Sequence, residues 1–302
     1  MLISVIIPTC ARPDRLVRCL SCVQTQEFPT DDYEIIVTDD SPDDTSHKIL
    51  TRDFPRVRWI QGPRRGPAAN RNHGATKASG DWLIFLDDDC EPQPGWLEAG
   101  HDNIPQNPTP DKLETPGMTS LPEVLEGKTV CPSKTDHPLE EQVENLTGDN
   151  FWSCNLAVHR KIFEELGGFD EDFLEAGGED MEFAWRIKQI GLSTRFCSQM
   201  LVFHPPRRIG WKGLWHRTWM IRWMALYRLK TGMQSALVPD LILDLLRSTL
   251  HLVTRFDPTR WRARCFQQAW KWITFPVVLP YMIYWNFRFK KRSFMSFMIF
   301  MV

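Results

Sequence analysis

Hydrophobic residues in the first hundred positions come in short runs, each closed by polar or turn-forming residues. The run ISVIIPT (3–9) is β-branched and ends at Pro8-Thr9, which predicts a buried strand. Behind it, RPDRLVRCLSCVQTQ places Leu16, Leu20 and Val23 at helical spacing. YEIIVTDD (33–40), VRWIQGP (57–63) and DWLIFLDDD (81–89) repeat the strand signal. DDTSHKILTRDF and the alanine-rich GPAANRNHGATKAS, opening at Gly66, read as the helices between them. Strand and helix alternating with short connections predict an α/β fold, a parallel sheet covered on both faces. Ligands of such sheets bind at the carboxyl ends of the strands. Two predicted strands end there in acids, Asp39-Asp40 and Asp87-Asp88-Asp89.

Periodicity fades over 101–129, which is rich in proline, threonine and glutamate and predicts an irregular insertion. It returns in NFWSCNLAVHRKIFEELGGFD, as a strand over Asn155–His159 and a helix over Lys161–Leu166 stopped by Gly167-Gly168. GGEDMEFAWRIKQIG predicts a further helix, and STRFCSQMLVFHP a last strand ending at His204. From residue 211 the texture changes to helices rich in tryptophan and arginine. The predicted organisation is one domain over 1–204 and a helical region over 205–302.

Charge sharpens that division. Residues 205–302 hold 17 Lys and Arg against 3 Asp and Glu, while 1–204 hold 19 against 35. Two such parts are expected to face different partners. The stretch 272–289 is strongly apolar but carries Pro276 and Pro280 and runs into RFKKR. Prolines and cations argue against a spanning helix, and aromatics beside Lys and Arg predict an interfacial element on an anionic membrane surface. No recognised nucleic-acid module accompanies the basic stretch, so no nucleic acid is expected as a partner.

The eight cysteines form no framework, and the lone Cys19-x-x-Cys22 lies in a helical pattern, which favours buried thiols. MLISVIIPT lacks the basic start of an export signal and reads as a strand. The expected location is therefore cytoplasmic, peripheral on the membrane face.

Three adjacent carboxylates repel, and each disfavours ionisation of its neighbours. A divalent cation removes the objection, because hard cations bind carboxylate and phosphate oxygens together. Strand alternation would point Asp87 and Asp89 one way and Asp88 the other. At the start of the GGED helix, Asp180 aligns with Ala184, Ile187 and Gly191, an inward stripe. Glu179 aligns with Glu182 and Arg186, a more polar edge. Geometry thus favours Asp180 as a base, and the helix dipole would favour its ionised form.

These segments, with SVIIPTCARPDRL, IIVTDDSPDDT, GPAANRNHGA, WLIFLDDDCEP, CNLAVHRKIFEELGGFDEDF, GGEDMEFAWRIKQIG and LVFH in that order, resemble the family 2 glycosyltransferases of GT-A fold. The resemblance covers about residues 3–204. It implies a mostly parallel sheet and an inverting, metal-dependent transfer from a nucleotide-diphosphate sugar, UDP-linked in the first instance. A glycan or polyprenyl-linked hydroxyl would be the acceptor and Mn2+ or Mg2+ the cofactor. It further implies Asp89, Asp87 and His204 as metal ligands and Asp180, beside Glu179, as the catalytic base. Pro8, Thr9, Arg12, Asp39, Asp40, Asp87, Asp88 and Asn155 would bind the donor, with Arg71 on its diphosphate. Ser41-Pro42 stands where the family has a glycine after its acids. A sugar-phosphate nucleotidyltransferase would need a glycine-rich N-terminal loop, absent from PTCARPDRL. A non-catalytic sugar-nucleotide scaffold would have no use for Asp89, Asp180 and Arg71 together.

Overall fold

A computed structural model describes residues 2–104, 122–133, 136–232, 246–250 and 260–300. Its contacts divide the chain into two compact units, Met1–Pro132 with Val143–Pro205, and Ser133–Gln142 with Pro206–Val302.

The first unit is built on an eight-stranded sheet in the order β3 (Val57–Gln61), β2 (Tyr33–Asp39), β1 (Ile3–Thr9), β4 (Trp82–Leu86), β8 (Asn155–His159), β6 (Val124–Val130), β9 (Thr194–Phe203) and β5 (Glu91–Pro92). Its left half is β1 (Ile3–Thr9), β2 (Tyr33–Asp39), β3 (Val57–Gln61) and β4 (Trp82–Leu86), all parallel. Between them run α1 (Pro13–Gln24), α2 (Thr45–Asp53) and α3 (Pro67–Lys77). Alternation along the strands sorts the core into two layers. Ile3, Val5, Ile7, Ile84 and Leu86 meet Leu16, Cys19, Leu20 and Val23 of α1 on one face. Ile6, Ile36, Leu83 and Phe85 meet Ala68 and Ala75 of α3 on the other. The small residues of α3 allow a close approach. A Cβ at Gly74 would lie 2.6 Å from Ile6 Cγ2. Gly66, which opens α3 at φ +97°, leaves no room for a Cβ beside the Leu174 carbonyl.

The right half departs from expectation. The short strand β5 (Glu91–Pro92) and the helix α4 (Trp96–Asn103) follow β4. β6 (Val124–Val130) runs between β8 (Asn155–His159) and β9 (Thr194–Phe203). β8 is antiparallel to both β4 and β6, β5 is antiparallel to β9, and β6 is parallel to β9. The sheet is mixed because β8 enters beside β4 from the opposite edge. Residues 124–129, expected to be irregular, are therefore central strand. VLEGKTV has glycine and charges in it, and its pairing partners lie about 30 and 70 residues away, beyond the reach of local pattern. Residues 105–121 of the expected insertion lie outside the described residues. α5 (Arg160–Glu165) and α6 (Glu179–Gln189) complete the unit. Cys19 is packed in the core, where burial pushes its thiol well up.

In the second unit β7 (Glu140–Glu141) pairs antiparallel with β10 (Arg207–Arg208). α7 (Gly210–Trp219) and α8 (Ile221–Lys230) pack on a long helix, Trp261–Phe300. Pro276 and Pro280 lie inside that helix and do not end it. Each removes one backbone donor, and the surrounding turns carry the helix through. Among the described residues no helix is long and apolar enough to cross a membrane.

Candidate active site

The acids gather where the topology puts the strand ends. β4 stops at Leu86, and Cys90 N–H donates to the Asp87 carbonyl 3.0 Å away, so Asp87–Asp89 lie on a turn. Strand alternation therefore does not govern them. Asp88 and Asp89 share one side and Asp87 takes the other.

On the first side, Thr9 Oγ1 donates to Asp88 Oδ2 at 2.7 Å. Arg12, just before α1, pairs with Asp88 at 2.8 Å and Asp89 at 3.3 Å, and Arg15 pairs with Asp89 Oδ2 at 2.8 Å. The carboxylates are buried, while both arginine side chains are more than a third exposed. His204, fully buried after β9, brings Nε2 to 3.5 Å from Asp89 Oδ1, with Nδ1 at 3.2 Å from the Pro205 carbonyl. Asp89, Cys90 and His204 present ligand atoms all within 4.8 Å of one another.

On the other side, Arg71 is buried and bridges Asp87 Oδ1 at 2.8 Å and Glu179 Oε1 at 3.2 Å. Its guanidinium also lies over the Phe169 ring, 5.7 Å from the centroid. Burial lowers its pKa, but Asp87, Asp180 and Glu179 together outweigh that and raise it. Glu179 Oε2 takes the Gly177 N–H at 2.7 Å. Asp180 Oδ1 is buried without a hydrogen-bond partner. Burial, with Glu179 next, pushes the Asp180 carboxyl up to about 7. Burial likewise pushes Asp88 up to about 7, against the pull of Arg12. The α6 dipole, expected to hold Asp180 ionised, is outweighed by desolvation in a pocket already charged by Glu179 and Asp87.

Several expected donor ligands have their polar atoms engaged within the protein. Asn155 Oδ1 accepts from Trp96 Nε1 at 2.9 Å, and its Nδ2 donates to the Lys128 and Met200 carbonyls at 3.0 and 2.8 Å. It ties β8 to β6 and β9, so a residue expected at the donor has its amide oxygen and nitrogen engaged within the protein. Arg71, expected at the diphosphate, is spent on two carboxylates. Asp87, expected as a metal ligand, pairs with Arg71 and is not among the ligand atoms that Asp89, Cys90 and His204 bring together. Glu179 and Glu182 are not on a polar edge. Both are buried, and Glu182 meets Arg186, which also donates to the Leu166 and Gly168 carbonyls.

Asp39 Oδ1 accepts from Ser41 N–H at 2.8 Å and from the Ser41 hydroxyl, and Oδ2 accepts from Trp59 Nε1 at 3.3 Å. Ser41 thus replaces the missing glycine with a side chain that ties the turn to its acid. Asp40 Oδ1 accepts from Arg64 N–H at 2.7 Å, and burial raises its pKa. Pro8 is buried in β1, in register with Thr38. Arg15, Cys90 and Trp59 were not foreseen. Arg15 sits one helical turn after Arg12, a spacing that would have flagged it.

The sequence matches the glycosyl transferase family 2 profile over residues 4–167, more than half of the chain. The chain belongs to that family. Residues 137–205 also match the profile described as the N-terminal domain of galactosyltransferase. Glycosyltransferase AglE of Haloferax volcanii is 28% identical over 214 residues, 69% of this chain and 68% of its own length. A GalNAc(5)-diNAcBac-PP-undecaprenol beta-1,3-glucosyltransferase of Campylobacter jejuni is 41% identical over 102 residues, 32% of each. Other curated relatives are matched over about half of their length. The fold is shared with the mannosyltransferase PcManGT of Pyrobaculum calidifontis, solved with GDP-Man and Mn2+. The TM-score is 0.54 at 18% identity, covering 90% of this chain and 86% of that one. This family 2 member is a glycosyltransferase of GT-A fold, and its acids lie at the carboxyl edge of the sheet.

Proposed function

We propose that the chain transfers a sugar, with inversion, from a nucleoside-diphosphate donor to a hydroxyl of a glycan or polyprenyl-linked acceptor. The observation that carries the metal part is the pair His204 and Asp89. If His204 Nδ1–H donates to the Pro205 carbonyl, Nε2 turns a lone pair toward a carboxylate oxygen. Two acceptors 3.5 Å apart repel unless a proton or cation lies between them. The residues present therefore fit a divalent ion, with Asp89 and His204 to hold it and imidazole favouring Mn2+ over Mg2+. When bound, such an ion supplies positive charge beside the departing diphosphate.

Arg12 and Arg15 supply that charge from the protein side. Both are exposed enough to swing from Asp88 and Asp89 to phosphate oxygens, for which guanidinium is suited. Asp180 is the base. Glu179 has one oxygen on Arg71 and the other on Gly177, whereas Asp180 Oδ1 has no partner. The acceptor oxygen attacks the anomeric carbon as its proton passes to the Asp180 carboxylate. The bond from that carbon to the phosphate oxygen breaks, and its electron pair leaves with the nucleoside diphosphate. One displacement inverts the centre and needs no protein nucleophile.

A UDP-linked donor and GDP-mannose, the donor bound by the Pyrobaculum enzyme, are the first arms of a test. The Campylobacter relative acts on a lipid-linked acceptor by its name, which supports a polyprenyl-linked acceptor here. Titration of nucleotide sugars with Mn2+ and Mg2+, read by thermal shift and turnover, should give stabilisation that Asp89→Ala abolishes. Asp180→Asn should bind donor normally and turn over about 10²-fold or more slowly. Unchanged nucleotide binding and turnover in EDTA would remove the metal from this proposal.

A further inference from the structure

The second unit carries an exposed apolar face. On the long helix Trp270, Ile273, Val277 and Tyr284 follow one another at spacings of three, four and seven, so they share a single stripe about 20 Å long. Ile273, Val277 and Tyr284 are 69%, 54% and 55% exposed. α7 extends the stripe sideways. Trp211 and Trp215, one turn apart, each set their ring 6.1 Å from that of Trp270 and remain 61% and 42% exposed. Trp270 is fixed beneath them by its Nε1 donating to Thr218 Oγ1 at 3.0 Å. Ala263, seven residues before Trp270, is buried and marks where the exposed stripe ends, and Gln268 and Thr274, on other lines of the same helix, are buried as well. The helix therefore has a side packed in the unit and a side left to something else.

The charge around this face selects the partner. None of the described residues from 206 onward is acidic, whereas the unit's helices carry Lys212, Arg222, Arg262 and others. The acids contributed by 133–142 are already engaged. Asp136 accepts from the N–H groups of Arg262 and Ala263, Glu140 pairs with Arg208 and Glu141 with Arg217. What remains is a cationic surface with aromatic and aliphatic side chains projecting from it. A protein partner would need an acidic rim around an apolar groove, while a bilayer with anionic headgroups over acyl chains offers both chemistries at once. Tryptophan and tyrosine with an apolar body and a polar tip suit the headgroup boundary. We infer that the face formed by Trp211, Trp215, Trp270, Ile273, Val277 and Tyr284 docks the chain on an anionic lipid surface, lying in the interface without crossing it.

The test uses the full chain with vesicles of phosphatidylcholine alone or mixed with phosphatidylglycerol. Co-sedimentation with the mixed vesicles, a blue shift of tryptophan emission and weakening in 0.5 M salt are expected. The double variant Ile273→Ser/Val277→Ser should bind at least about tenfold more weakly, since each loses apolar area the bilayer would cover. Ile190→Ser, an exposed residue of the first unit, should bind as the wild type does. Circular dichroism and donor hydrolysis should be unaltered in all variants, which separates failure of this inference from failure of the glycosyl-transfer proposal. No vesicle binding, equal binding to neutral vesicles, or full binding by the double variant would overturn it. So would a dimer in light scattering that the double variant dissolves without vesicle binding.

Discussion

Nη1 of Arg71 lies 3.2 Å from Oε1 of Glu179, a buried contact between α3 and the first residue of α6, 108 residues apart in sequence. Through it α3 holds the start of α6, and Asp180 beside it is left with an unpartnered oxygen. Two adjacent acids thereby acquire different roles. Glu179 is a fixed counter-charge for Arg71, and Asp180 is available to chemistry.

Removing the arginine should expose how much rests on it. Arg71→Ala leaves Asp87 and Glu179 uncompensated in a buried site, and a lost partner of that kind costs about 3–5 kcal/mol. Urea unfolding of the variant should show a loss of that order, with turnover falling in parallel. Glu179→Gln should retain substantially more turnover than Asp180→Asn, because only the latter removes the proposed base.

Stability without metal should decline from acid toward neutral pH. The Asp88 and Asp180 carboxyls move from an ordinary 3.8 up to about 7 on folding, because burial penalises their charge. Between those values the folded chain keeps protons that the unfolded chain has lost, so raising the pH favours unfolding. Melting temperatures in EDTA should fall between about pH 4 and 7. Turnover should run the opposite way and level off above about 7, since a base must be ionised to accept a proton.

Arg15→Gln should separate the two partners of its guanidinium. With that cation gone from Asp89, Mn2+ alone should bind up to about tenfold more tightly, as befits a partly exposed charge pair. Donor affinity in the presence of Mn2+ should fall, because the diphosphate loses a cation. Calorimetry with each ligand distinguishes this from general damage, which would weaken both.

Asn155→Ala should be a stability variant. It orphans the Trp96 indole N–H and two strand carbonyls in the core, at a cost of about 1–3 kcal/mol for a buried unsatisfied group. Chemical denaturation should register that loss, while nucleotide affinity of the folded protein stays unchanged.

The left half of the sheet was legible because β1, β2 and β4 each carry a continuous apolar run and a helix follows β1, β2 and β3 after a short connection. Such segments announce themselves within about ten residues. VLEGKTV gave no such signal, since its burial comes from β8 and β9 on either side. Asn155 shows the same limit at the level of one side chain. Its place in a conspicuous motif pointed to a ligand, but its neighbours are Trp96, Lys128 and Met200.

Which acids exist, and that they end strands at one rim of the sheet, follows from the chain's order alone, because period and strand polarity are local properties. Which acid meets which cation was decided only when the turn after Leu86 rotated Asp87 away from Asp88 and Asp89. Electrostatic partnership depends on distances of a few ångströms between distant segments, and burial then moves the titration of Asp88 and Asp180 in a direction that no linear spacing encodes.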